Sequence, residues 1–137
     1  MVDLGKALRS YLLDNGDVHG LVDGRVFVGE LPDVEIPEMP RSAVLVVLDG
    51  GVEAPGPGST IRVRCHVVCF SDSYANAAEV DRAVYQAFKD LDRITVEGVL
   101  IHGAAIAGGA SATRTPNEGW PAQTRAVTVT ADDREVS

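Results

Sequence analysis

Thr60-Ile-Arg-Val-Arg-Cys-His-Val-Val-Cys-Phe70, then Ser71-Asp-Ser73, then Tyr74 to Asp92, is the stretch whose reading decides the fold. In an extended chain successive side chains point to opposite faces. Ile61, Val63, Cys65, Val67 and Cys69 therefore share one face, and Arg62, Arg64 and His66 share the other. Past Ser73 the apolar spacing becomes helical. Ala77, Val80, Val84, Phe88 and Leu91 form one stripe, with Glu79, Arg82, Gln86 and Lys89 opposite. A half-wet strand feeding a long amphipathic helix is a structural unit. It carries no catalytic chemistry of its own.

On its N-terminal side, Asp3 is placed to cap a helix over residues 4–14, with Leu4, Leu8, Tyr11 and Leu12 on one stripe. Asn15-Gly16 reads as its stop, since both residues tolerate positive φ. A helical turn over 17–22, capped by Asp17 and closed by Gly24, and a short strand over 25–28 follow. Residues 29–41 contain Pro32, Pro37 and Pro40, which excludes them from a sheet interior and predicts an excursion over the surface. The apolar run 42–49 suits a strand buried on both faces. The Gly- and Pro-rich 50–59 segment reads as a hairpin connection. It lacks the glycine and lysine spacing of a phosphate loop.

After the long helix, 95–107 reads as a strand bent near Gly98 and Gly103. Gly108-Gly109 reads as a tight turn, 110–115 as a short return, and 116–122 as a loop holding the sole tryptophan, Trp120. Residues 123–131 alternate cleanly and predict a final strand. The expected fold is α+β: an antiparallel sheet of about four to five strands, with the long helix and the N-terminal helix on one face.

At 137 residues the chain is one domain by length, large enough to bury about two-thirds of its unfolded surface. The N-terminus lacks the basic-then-apolar layout of a signal peptide, and the longest apolar run, 43–48, is too short to cross a bilayer. These features predict a soluble, non-secreted chain. Twelve basic against twenty acidic residues give a net charge of −8, which disfavours a tight grip on a phosphate backbone. The first 58 residues hold ten acidic and four basic side chains. Glu30, Asp33, Glu35 and Glu38 fall in one segment without a base: either a solvated loop that aids solubility, or a surface that repels nucleic acid.

Cys65 and Cys69 lie four positions apart on one strand, so roughly 13 Å separates their Cα atoms, beyond disulfide reach. They read as small buried hydrophobes in a reducing compartment. His19, His66 and His102 show no metal-ligand or triad spacing, and no nucleophile elbow, zinc-helix or dinucleotide motif is present. Arg62 and Arg64 either meet carboxylates of a neighbouring subunit or lie solvated under the protein's own loops. Trp120, between Gly119 and Pro121, is either an anchor under its loop or an interface hot spot.

The order of these elements resembles the tail-terminator, or tail-completion, proteins of long-tailed (siphovirus) bacteriophages. The N-terminal helix, Val18-His-Gly-Leu-Val-Asp-Gly-Arg-Val-Phe27, a proline-bearing loop, the apolar strand 44–48, a glycine-rich turn, and the central strand and helix match in order. Gly24-Arg25-Val26 and the junction at 70–77 carry most of the likeness. Segments 98–109 and 116–121 match least.

The resemblance implies one tail-terminator-like domain over 1–131, with a polar tail over 132–137. It implies a virion protein at the neck, assembled in the host cytoplasm. There it forms a homo-oligomeric ring, typically a hexamer, that caps the tail tube and joins the head's connector or stopper protein. Double-stranded DNA passes through the lumen without tight binding. It implies no catalysis, cofactor, metal or membrane. Candidate subunit or tube contacts are Arg62, Arg64, His66, Trp120, Glu30, Asp33, Glu35 and Glu38. The alternatives are another connector component, such as a stopper or adaptor, or a small ligand-binding or enzymatic domain with a pocket between sheet and helices.

Overall fold

A computed structural model describes residues 2–53, 60–114 and 119–135, with backbone only at 50–53 and 134–135. Helices α1 (Leu4–Asp14) and α2 (Gly16–Val22) precede strands β1 (Val26–Val28), β2 (Ala43–Glu53) and β3 (Thr60–Phe70). Helix α3 (Tyr74–Asp90) follows, then β4 (Asp92–Val96), β5 (Val99–Arg114) and β6 (Pro121–Glu135). The six strands form one sheet in the order β1-β2-β3-β6-β5-β4.

The central strand and helix fold as their spacing requires. Ile61, Val63, Cys65, Val67 and Cys69 are buried on the helix-covered face, and Arg62 and Arg64 are exposed on the other. Ala77, Val80, Val84, Phe88 and Leu91 are all buried, while Glu79, Arg82, Gln86 and Lys89 are exposed. Ser73 caps α3 by accepting from the Asn76 amide at 3.2 Å, and the backbone turns extended at Leu91. Helix α1 lies on the same face. Asp3 caps it as expected, accepting from the Lys6 amide at 3.0 Å, and Leu4, Ala7, Leu8 and Leu12 join the core. Tyr11 fastens α1 to α3 by donating its hydroxyl to the Ala87 carbonyl at 2.6 Å.

Several expectations are corrected. The sheet has six strands, not four or five, and it is mixed: β1 runs parallel to β2, Val26 opposite Val44. Asn15 is not a positive-φ stop. It is extended, and its Oδ1 accepts from the Asp17 and Val18 amides, so Asn15, not Asp17, caps α2. The bent strand over 95–107 is the hairpin β4–β5, turned by Glu97 (φ 51°) and Gly98 (φ 75°). Gly108 (φ 69°) does not start a turn. It sits in a bulge where β5 shifts register against β6 between Ala107 and Ser111, and the strand continues to Arg114. Strand β6 begins at Pro121 and runs past Ala131, so 121–122 are not loop and 132–135 are not tail.

Strand β2 is buried on the helix side but only half-covered on the other, where Leu45 and Val47 lie. Residues 29–42 cross that second face through a 3-10 turn at Ile36–Glu38 and a cis Met39-Pro40 bond. The core of the 50–59 connection and residues 115–118 lie outside the described residues.

Candidate interaction surface

The sheet face away from the helices carries the residues singled out by pattern, in two zones. In the upper zone the cross-strand register places Arg62 opposite Thr130, Arg64 opposite Thr128, and His66 between Val47 and Ala126. Farther along the same rows lie Ala105 beside Thr128 and Ala107 beside Ala126, both exposed. The two guanidinium groups thus rise from a floor of small side chains. Neither forms an ion pair with another described residue. His66 Nε2 lies 3.1 Å from Asp49 Oδ2, an exposed pair across neighbouring strands.

The lower zone is apolar. Ala43, Phe70 and Ala122 are buried there, with Phe27, Leu31, Met39, Leu45, Val68 and Trp120 packed around them. Trp120 meets Phe70 edge to face, with ring centroids 6.1 Å apart and planes at 81°. The anchor reading of Trp120 is the one the packing supports. A groove of about 520 Å³ opens between the 29–36 segment and the strands, with Leu31, Ile36, Leu45 and Val68 inside and Arg114 at its rim.

The acidic segment is not uniform. Glu35 Oε2 accepts from Arg41 Nη2 at 2.7 Å, which ties the segment to itself. Glu30, Asp33 and Glu38 remain exposed, beside a fully presented Val34. Within one copy the acids and the Arg62–Arg64 pair do not meet.

No protein-family model and no curated protein sequence matches the chain. A solved structure does. The fold is similar to that of a chain in the virion of a native gene transfer agent particle, with a TM-score of 0.62 and 15% identity. The match covers 94% of this chain and 94% of that one. At this identity the likeness is one of fold, and it spans the described molecule from α1 to β6.

Elsewhere the polar groups serve the fold. His102 Nε2 lies 2.7 Å from Asp132 Oδ1, holding β5 to β6, and His19 is exposed on α2. Among the described residues, no group of three or more His, Cys, Asp or Glu is placed to hold a metal ion. Burial pushes the Cys65 thiol up to about 12 and raises Cys69 further, with nearby Asp81 adding to the Cys69 shift and Arg125 opposing it. Neither thiol is a nucleophile at neutral pH.

One pair was not singled out by pattern. Arg125 on β6 and Asp81 on α3 form a buried, two-pronged ion pair under the helix. A signal existed: Asp81 falls four positions after Ala77 within the apolar stripe, and Arg125 falls in the inward set with Val127 and Val129.

Proposed function

We propose that the chain is a structural virion protein, a tail terminator that closes the tail tube as a ring at the neck. The observation that carries this reading is the shared fold, end to end, with a chain of a gene transfer agent virion. The ordered sequence features that resemble tail terminators point the same way. The ring is a hexamer of this chain, with the tail tube protein below and a connector or stopper protein above. No catalytic step and no cofactor belong to this role.

Two physical features support it. A cyclic ring needs two different, complementary surfaces on each subunit. Here Arg62 and Arg64 stand exposed on the open sheet face with no ion partner among the described residues, while Glu30, Asp33 and Glu38 stand exposed on a separate segment. Contact between the first set on one subunit and the second on its neighbour satisfies both. The net charge of −8 keeps a conduit wall from retaining DNA as it passes, because no cation-rich stripe displaces counterions.

The test joins mass measurement in solution with electron microscopy of assembled particles. A ring mass, and density for the chain at the head–tail junction, are expected. A monodisperse monomer at high concentration that never enters particles would sink the reading. Density elsewhere on the tail axis would assign the chain to another connector component.

A further inference from the structure

Two stretches of strand edge lack a partner among the described residues. Strand β1 covers β2 only from Val44 to Val46, leaving β2 open from Val47 onward on that side. Strand β4 covers β5 only from Val99 to Gly103, leaving β5 open from Ala104 toward Arg114. Unpaired edges template pairing with another chain, and natural proteins blunt them with Lys, Pro or bulges. The open run Ala104-Ala-Ile-Ala107 has none of these within it; the register shifts of β5 flank it, ending at Gly103 on one side and beginning after Ala107 on the other.

The two open stretches also match each other. They lie on opposite sides of one sheet and run in opposite directions, since each step from β2 through β3 and β6 to β5 is antiparallel. They stand at the same level: Val47, His66, Ala126 and Ala107 share one row, and Gly51, Val63, Val129 and Ala104 another. Rotation about an axis along the strands, without translation, therefore brings the β5 edge of one copy level with the β2 edge of the next. The pair so formed is antiparallel. Charge agrees, because the open β2 stretch carries Asp49, whereas residues 104–114 hold no carboxylate and end in Arg114.

We infer that a second copy of this chain docks by a short strand addition, β5 (Ala104–Ala107) against β2 (Val47–Gly51), the window in which neither β4 nor β1 occupies the edge, so that one sheet continues from subunit to subunit. This rests on the ring reading above and names a backbone contact of that ring, separate from the Arg62–Arg64 charge contact. Val47, Ala105 and Ala107 all point to the open face, so they report the junction.

The test mixes copies carrying Val47→Cys with copies carrying Ala107→Cys or Ala105→Cys, under mild oxidation. The buried native thiols do not compete. Covalent dimers are expected from a mixture and none from either variant alone. In parallel, Ala104→Pro and Ala105→Pro are compared. Adjacent amides point to opposite sides of a strand, so the variant that keeps its melting temperature has lost only an outward donor. That variant is expected to lose the ring. A wild-type chain that stays monomeric overturns the ring reading itself. A wild-type ring with no cross-link, and with rings retained in the folded proline variant, overturns strand addition alone.

Discussion

Arg125 reaches from β6 to the underside of α3, donating from Nε and Nη2 to the two Asp81 carboxylate oxygens at 3.1 and 2.7 Å. Its guanidinium carbon lies 4.6 Å from the Tyr85 ring centre, and Nη1 donates to the Gly108 carbonyl at 3.4 Å, beside the β5 bulge. The hydrogen bonds to Asp81 raise the Arg125 pKa, against the opposing effect of burial. Removing one partner leaves the other charge buried, which costs about 3–5 kcal/mol, whereas replacing both with apolar groups is often neutral. Asp81→Ala should therefore lower stability by about that amount in urea unfolding, and Asp81→Leu with Arg125→Met should recover most of it. A single variant as stable as wild type would refute the role.

The thiols give a second residue-scale expectation. Unfolded cysteine ionises near pH ~8.5, and in the fold the Cys65 value is pushed up to about 12. Above the lower value the unfolded chain binds fewer protons than the native one, so stability falls as pH rises from about 9 toward 12. At pH 8 both thiols should resist alkylation until the protein is denatured; rapid labelling of native Cys69 would contradict the packing. At this scale the sequence was half legible. Strand alternation located the cysteines, but an acid inside a helical stripe finds its meaning only once the opposing strand is known.

Among the elements, the β3–α3 unit was legible because two periodicities meet at one polar junction, and each period allows a single buried face. Phe88→Asp would place an unpaired carboxylate in that face and should abolish soluble, folded protein; an unchanged melting temperature would refute it. The β4–β5 hairpin was not legible. Its turn uses Glu97 at positive φ, where Asn or Asp is the usual signal. Here Glu97 also accepts from Ser10 Oγ at 3.0 Å, a contact 87 residues apart in sequence. The Gly108 bulge was hidden for a related reason, since a double glycine marks a turn or a bulge equally well.

Helix α1 offers a sharper test of element packing. Alanine is better than glycine inside a helix by about 1 kcal/mol. At Gly5, however, an added Cβ would come 2.7 Å from Val28 Cγ1 and 3.6 Å from Leu48 Cδ1. Valine is stiff at χ1, so the strand must move rather than the side chain. Overpacking of this kind costs about 1–3 kcal/mol, which outweighs the propensity gain. Gly5→Ala should destabilise, and a raised melting temperature would show that α1 rides more loosely on β1 and β2.

At the scale of the whole molecule, the helices cover one face of the sheet, and the other divides into an apolar zone under residues 29–42 and an open zone holding Arg62 and Arg64. Sequence periodicity marks the two faces but not the division, because the covering segment is held by contacts distant in the chain, such as Leu31 and Met39 against the cluster of Ala43, Phe70 and Ala122. The open zone adds little to monomer stability, since both arginines are exposed and without a described ion partner. Reversing them (Arg62→Glu with Arg64→Glu) should leave the unfolding midpoint close to wild type, as surface substitutions usually do. In the ring reading the same change sets like charges against Glu30 and Glu38 of the adjoining subunit, so assembly should fail at physiological salt. The variant's assembly defect should shrink as ionic strength rises, because repulsion between exposed like charges is screened beyond about 8–10 Å. The compensating reversal, Glu30→Arg with Glu38→Arg, should restore rings only in the background of the first. Restoration in that combination alone identifies the two surfaces as partners; rings that persist in the arginine reversal alone remove Arg62 and Arg64 from the interface.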